Sequence, residues 1–349
     1  EIYTIILDDL KSISTELNNI TVPTNVVNSF KTQDLINNGD LTLWKKYCNG
    51  LRLRVLTRVS ASSTFGARST SELAEIVNNP TVYPLGKINA DNAEIKIYDS
   101  GSKVSSDGIR DAFEADGWYA NLAGKKMIDE MLSKADPRLP FIFEPGIKAN
   151  NIFIGLDQAL GTVPQTDLAR GGTIATYNRS TFSRNKSFPG ILMTATEVNL
   201  LLAEYYTKTG NTANAKSSFE NAVKESILLY ESIRSTSDDN TTAPSTSPTV
   251  TEVNDYITNL NWDAAANKIE LIATQKWTHL NLVQAVEAWS EVRRLDFPKF
   301  NVITQNSDLF KTIPVKFTLP TSEQTYNKAN YDKIKNQDNQ TTKLFWDVN

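Results

Sequence analysis

The chain has 349 residues, 40% of them hydrophobic and 22% charged, with a formal net charge of -4, which are globular values at a length that allows about two domains. The acidic balance, with no Lys/Arg block longer than two residues, excludes a nucleic-acid surface, which needs a basic patch or stripe. A single cysteine, Cys48, and a single histidine, His279, exclude an intrachain disulfide framework, a cysteine-based zinc site and a multi-histidine metal centre.

The opening residues EIYTIILDDLKSI form an amphipathic helical pattern with Ile2, Ile5, Ile6 and Leu10 on one side. A chain that starts inside a helix, without an initiator Met, signal peptide or lipidation cysteine, is expected to be a processed or trimmed piece of something longer. This helix should end near Asn18-Asn19, and Pro23 begins a connection. Asp40 then caps a second helix in which Trp44, Tyr47, Leu51 and Val55 form a stripe, with Lys45, Lys46, Arg52 and Arg58 on its other face. A break at 62–66 is followed by a capping box, Ser69 with Glu72, which should restart a short helix.

From Asn78 to Gly117 turn chemistry dominates (NNP, YPLG, DNAE, DSGS, SSDG), with a short β-type piece at Ile95–Tyr98. A helix over Leu122–Leu132 ends at Asp136-Pro-Arg138, and residues 141–189 return to loop. Long ordered loops of this kind more often carry function than not.

Residues 191–233 restore strong helices. Leu202-Ala-x2-Tyr206 followed by Ala215-x3-Phe219-x2-Ala222 reproduces the spacing of a tetratricopeptide unit, with Gly210 in the turn between the two helices. The unit is degenerate: Asn199 replaces its first aromatic and its closing Pro is absent. The polar tract Ser235–Thr251 cannot build a packed core and should be a surface or disordered loop. Trp262–Phe300 then shows a clear helical period through Ile269, Ile272, Ala273, Leu280 and Val283. Asn261 or Asp263 can cap its start, Arg293-Arg294 occupy its final turn, and Phe297-Pro298 stops it. No run in the chain approaches the ~18 apolar residues that a bilayer-spanning helix needs.

Several segments together are specific enough to carry a resemblance. They are Asn49-Gly-Leu-Arg-Leu-Arg54, Asp136-Pro-Arg138, Ala203-Glu204, Gln275-Lys-Trp277, Glu287-Ala-Trp289 with Arg293-Arg294, Pro314-Val-Lys-Phe317 leading into Pro320-x2-Glu323-Gln-x-Tyr-Asn327, and Lys343-Leu-Phe-Trp-Asp347. In this order and spacing the chain resembles the SusD/RagB family of nutrient-binding surface lipoproteins of Bacteroidota. It departs from the family in lacking its opening region and in placing Leu319 where an aromatic precedes the Pro. The resemblance implies an all-α fold, a tetratricopeptide-like helical repeat scaffold with long loop-rich insertions and minor β pieces. It implies one domain over 1–349, with helical repeats at about 1–77 and 191–300, ligand-face insertions at about 78–190 and a C-terminal tail from 301.

The function it implies is non-catalytic: capture of oligosaccharides, or peptides, at the cell surface. The ligand would pass to a SusC-type TonB-dependent transporter in the outer membrane. No cofactor and no metal are implied. Membrane attachment would run only through an N-terminal lipid anchor that these residues do not include. The alternative reading is an adaptor whose helical repeats bind protein or peptide segments in a concave groove.

A glycan site needs flat aromatic faces rimmed by amides, carboxylates or guanidinium groups. Trp44, Trp277 and Trp289 lie on helical stripes and Trp262 and Trp346 are expected to pack, so all five belong to the scaffold. Trp277, Trp289, Arg293 and Arg294 form its structural signature. Trp118 and Tyr119 follow a turn away from any apolar period, and with Tyr177, Tyr98 and Tyr83 they are the expected ligand contacts. Cys48 and His279 read as packed residues. The pairs Asp8-Asp9 and Asp238-Asp239 are solvated charges, and nothing places two carboxylates across a cleft as glycoside hydrolysis requires.

Overall fold

The computed structural model describes residues 1–97, 104–114, 121–242, 246–301 and 313–349. Among them are fifteen α-helices and two antiparallel pairs of very short strands, the expected all-α class with minor β pieces. No helix of the described residues is long and apolar enough to cross a membrane.

Helix α1 (Ile2–Asn19) is followed by α2 (Thr24–Lys31), α3 (Leu41–Val59) and α4 (Gly66–Asn78). The isoleucine side of α1 faces outward: Ile2 is 72% and Ile5 53% exposed, whereas Leu7 and Ser14 are fully buried. The reason is polar as well as apolar. The Ser14 hydroxyl donates to Asn49 Oδ1 at 2.7 Å and the Cys48 thiol donates to the carbonyl of Leu10, so α3 takes the other face of α1. Asp40 caps α3 as expected, accepting from the amides of Thr42 and Leu43. The expected polar face of α3 is also corrected, because Arg52 is fully buried. It reaches Glu72 at 2.9 Å and its guanidinium lies over the Tyr83 ring. Ser69 and Glu72 sit inside α4 rather than at its start, since the helix begins at Gly66 and frees Glu72 to bind Arg52 and Arg68.

The insertions hold more order than their composition announces. Strand β1 (Ala93–Ile95) precedes α5 (Asp107–Phe113), α6 (Lys125–Lys134), α7 (Leu139–Ile142), β2 (Phe143–Glu144), α8 (Thr162–Gly171), β3 (Thr176–Tyr177) and β4 (Gly190–Met193). β1 pairs with β4, which ties the first insertion to a partner far along the chain, whereas β2 and β3 pair within the second. The helix expected from Leu122 starts three residues later and ends at Ala135, which adopts the left-handed conformation. The stretch 145–175 is docked backbone to backbone on the residues before α6. Lys125 donates to Leu156 and Leu156 to Ala123, both at 2.8 Å.

The tetratricopeptide-like pair is α9 (Ala195–Lys208) and α10 (Thr212–Ser235), with Gly210 at positive φ between them. Ala203, Ala215, Phe219 and Ala222 are fully buried at its interface. The tract expected as loop to Thr251 gives way at Val250 to α11 (Val250–Asn259), started by a capping box of Thr249 and Glu252 that sequence inspection passed over. Trp262 caps no helix; it lies on the Phe219 ring, centroids 4.6 Å apart. The long helical period resolves into α12 (Lys268–Leu280), capped by Asn267 rather than Asn261 or Asp263, and α13 (Ala285–Leu295). The tail adds the exposed helices α14 (Thr321–Tyr326) and α15 (Lys328–Ile334) before Trp346 returns to the core beside Leu7 and Leu53.

Candidate ligand-binding site

The signature segments meet in one buried polar brace. Arg294 of α13 donates to Glu204 of α9 at 2.7 Å and to Glu291 at 2.6 Å, and Lys276 of α12 reaches the same two carboxylates at 2.9 and 2.7 Å. Burial opposes the charged form of Glu204, yet Arg294 and Lys276 outweigh it and hold its carboxyl well below the usual carboxylate range. The ladder continues to α3, where Arg58 meets Glu287 and Arg54 meets Glu197, each at 2.5 Å.

A second knot surrounds Arg138, fully buried and bonded to Asp136, Ser226, Tyr256 and Gln275. His279 sits beside it. Its ring nitrogens lie 2.8 Å from Thr194 Oγ1 and 2.9 Å from Ser226 Oγ, and burial pushes the imidazole down to about 3, with Arg138 adding to the effect. These residues are saturated by one another and positioned by four helices; they hold the scaffold and leave no valence for a ligand.

Two of the signature aromatics are less buried than their stripes implied. Trp289 is half-buried, sandwiched by the Arg293 guanidinium 3.7 Å from its ring and by Phe317 at 4.8 Å. Trp277 is half-buried against Phe300. Arg293 also donates to the carbonyls of Trp289 and Val315, which fastens the tail to α13.

The surface built by the insertions carries two grooves on either side of 183–189. The larger, of about 500 Å³, is lined by β1 and its extension (Glu94, Lys96, Ile97), by Ser187 and Pro189, and by α10 (Leu229, Ser232, Ile233). The smaller, of about 340 Å³, is polar, with Asp107 and Arg110 of α5 facing Arg184, Lys186 and Asp238. The β1–β4 pairing positions the larger groove, and the Ser106 hydroxyl, donating to the carbonyl of Asn185, fixes the ridge between the two. Among the described residues the hydroxyls of Ser187 and Ser232 have no protein partner, and Glu94 and Lys96 meet only each other, at 3.4 Å. Burial raises the Glu94 carboxyl above its ordinary range, against the opposing pull of Lys96.

Of the expected ligand contacts, Trp118, Tyr119 and Tyr98 lie outside the described residues. The other two, both partly buried, make packing and hydrogen-bond contacts within the fold. Tyr177 is wedged among Phe113, Phe143 and Phe182 with centroids 5.7, 5.1 and 5.8 Å away, and its hydroxyl donates to Asn281 at 2.6 Å. Burial pushes that hydroxyl up to about 12. Tyr83 donates to Glu75 at 2.7 Å beneath Arg52. Sequence inspection missed Glu94 and Lys96. Their i, i+2 spacing in AEIKI was the available signal, because such a spacing puts both side chains on one side of a strand. Among the described residues no cluster of three or more His, Cys, Asp or Glu side chains could hold a metal ion.

Comparison with known proteins adds to this geometry. The SusD-like family model, described as "Starch-binding associating with outer membrane", matches residues 1–320. A SusD homolog from Bacteroides fragilis superposes with a TM-score of 0.79 at 18% identity, covering 100% of this chain and 75% of its own. A chitin-binding SusD homolog from Flavobacterium johnsoniae gives 0.72 at 22% identity, covering 100% and 72%. A protein described as Bacteroidetes AC2a SusD-like gives 0.73 at 20%, covering 99% and 76%. At these identities the structural likenesses establish the fold. A search of curated protein sequences finds no significant match.

Proposed function

Since this chain belongs to the SusD-like family, whose members are non-catalytic binding proteins associated with the outer membrane, we propose that it captures nutrient glycans at the cell surface. Held to the membrane through a lipid anchor of its own, it would then deliver them to a SusC-type TonB-dependent transporter. The observation that carries this reading is the family match across residues 1–320. The larger groove supports it chemically, since hydroxyls, a carboxylate and an ammonium group against an aliphatic wall suit a sugar's hydroxyls and C–H faces. The names of relatives that bind starch or chitin support the glycan class. We further propose that sugar rings stack on Trp118, Tyr119 and Tyr98, because aromatic faces suit them.

The test is titration of a panel of neutral and acetylated oligosaccharides, with reducing ends assayed in parallel. Saturable binding without cleavage is expected. Cleavage of any ligand, or no binding across the panel, would overturn the reading. For the transporter, co-expression with a TonB-dependent barrel encoded beside it should yield a stoichiometric complex, and two separately eluting proteins would refute that part alone.

A further inference from the structure

A third cavity opens on the helical scaffold rather than on the insertions, and it reaches a carboxylate of the buried brace. We propose that it seats a lysine side chain of a partner polypeptide, the ammonium taking the place of Lys208 on Glu204 and the stem lying against α4.

The cavity, of about 510 Å³, lies between α3, α4 and α9. Ala61, Leu73 and Ala74 give it an apolar wall, and among the described residues its only charged lining groups are Glu204 and Lys208. Each oxygen of the fully buried Glu204 accepts two bonds. Oε2 takes them from Lys276 at 2.9 Å and Arg294 at 2.7 Å, and Oε1 from Arg294 and Lys208, both at 2.7 Å. Lys208 lines the cavity, whereas Arg294 and Lys276 do not. The cavity therefore meets Glu204 at one acceptor position, and a primary ammonium already fills it.

Lys208 holds that position loosely. Its side chain is 46% exposed and its pairing is an i, i+4 contact within α9, a kind that contributes little and gives way readily. An incoming lysine gains what Lys208 lacks, because its methylenes bury against Leu73 and the two alanines. A further partner waits for its ammonium. Thr57 lines the cavity, is 4% exposed, and its hydroxyl has no hydrogen-bond partner. A buried hydroxyl left so is costly until a donor arrives. Two helices also end here: Ser60 and Ala61 follow the last turn of α3, and Lys208 and Thr209 close α9. The carbonyl ends of helices favour a cation.

Other side chains fit worse. The planar fork of arginine calls for two oxygens where the cavity offers one position. An acidic side chain meets Glu204 and both helix ends with like charge, and an aliphatic one leaves Thr57 unmatched.

The experiment titrates the pentapeptide AAKAA, blocked at both ends, into the protein and follows the backbone amide resonances of Thr57, Leu73 and Thr209. Saturable shifts confined to this cavity are expected. AARAA, and AAKAA acetylated on its lysine, should bind about tenfold more weakly. Lys208→Met should tighten AAKAA binding about fivefold, since the internal competitor is gone, while Lys126→Met, the same charge change on an exposed lysine of α6, should leave it unchanged. Thr57→Val should weaken binding about fivefold without lowering the melting temperature, because a hydroxyl with no partner contributes nothing to the fold. No shift at these amides, equal binding of the acetylated peptide, or a Lys208→Met protein that binds no tighter would each overturn the proposal. Glycan capture stands or falls separately, since this cavity shares no lining residue with either groove of the insertions.

Discussion

Single residues decide more here through partnership than through type. Glu204 and Glu291 share Arg294 and Lys276 in a fully buried set, and such groups are worth little against a hydrophobic replacement of all of them but much when one partner is withdrawn. Glu204→Gln should therefore destabilise the protein by about 3 kcal/mol, read from urea denaturation midpoints. A loss below ~1 kcal/mol would mean that the brace is not under this charge balance. His279 makes the complementary case. Its imidazole is held neutral in the fold, at about 3 against an unperturbed 6.5, so below 6.5 the unfolded chain takes up a proton that the folded one refuses. Stability is complete above 6.5 and declines as pH falls toward 3, and between 6.5 and the carboxylate range that decline should belong to His279. His279→Gln should flatten the slope of unfolding free energy against pH in that window, while an unaltered slope would disprove the assignment. Trp118 lies on the proposed ligand side of the balance. Trp118→Ala is expected to weaken glycan binding about tenfold or more, since stacking on an aromatic face is lost, without a change in melting temperature.

At the scale of elements, the insertions are held by close backbone approaches rather than by a core of their own. A Cβ at Gly155 would overlap the backbone of Gly124 and Lys125, and one at Gly146 would lie 2.5 Å from the carbonyl carbon of Thr173. Backbone cannot yield as a side chain does. Gly155→Ala should cost about 1–3 kcal/mol and loosen 145–175 specifically, visible as faster amide exchange there with α9 and α10 unchanged. Uniform exchange across the chain would contradict the docking described. The elements also mark what a linear reading could and could not find. The tetratricopeptide spacing, the Asp40 cap and the turn at Gly210 were legible because each is local, fixed by period, cap or φ. The outward isoleucines of α1 were misjudged because periodicity marks an apolar side without saying which neighbour will cover it. Polar pairs with α3 chose the opposite side. Helix α8 was missed since a ten-residue run starting at Thr162 and containing Pro164 has little apolar period to announce it.

At the scale of the whole molecule, the braces and the grooves divide the labour. Salt bridges spanning 143 and 229 residues of sequence, Arg54 with Glu197 and Arg58 with Glu287, join α3 to α9 and α13, and none of these four residues lines either groove. From its residues alone, the chain determines a helical scaffold with irregular insertions and the segments that mark its family, since these rest on short-range period, turn chemistry and ordered motifs. It also marked Trp277, Trp289, Arg293 and Arg294 as the structural signature, but not which charge answers which. Only the tertiary structure decided that, and only it assembled Glu94, Lys96, Ser187 and Ser232 around one cavity. The reason is physical: Coulomb attraction, desolvation and cavity shape depend on distance in space, and residues far apart in the chain acquire a distance only when the scaffold closes.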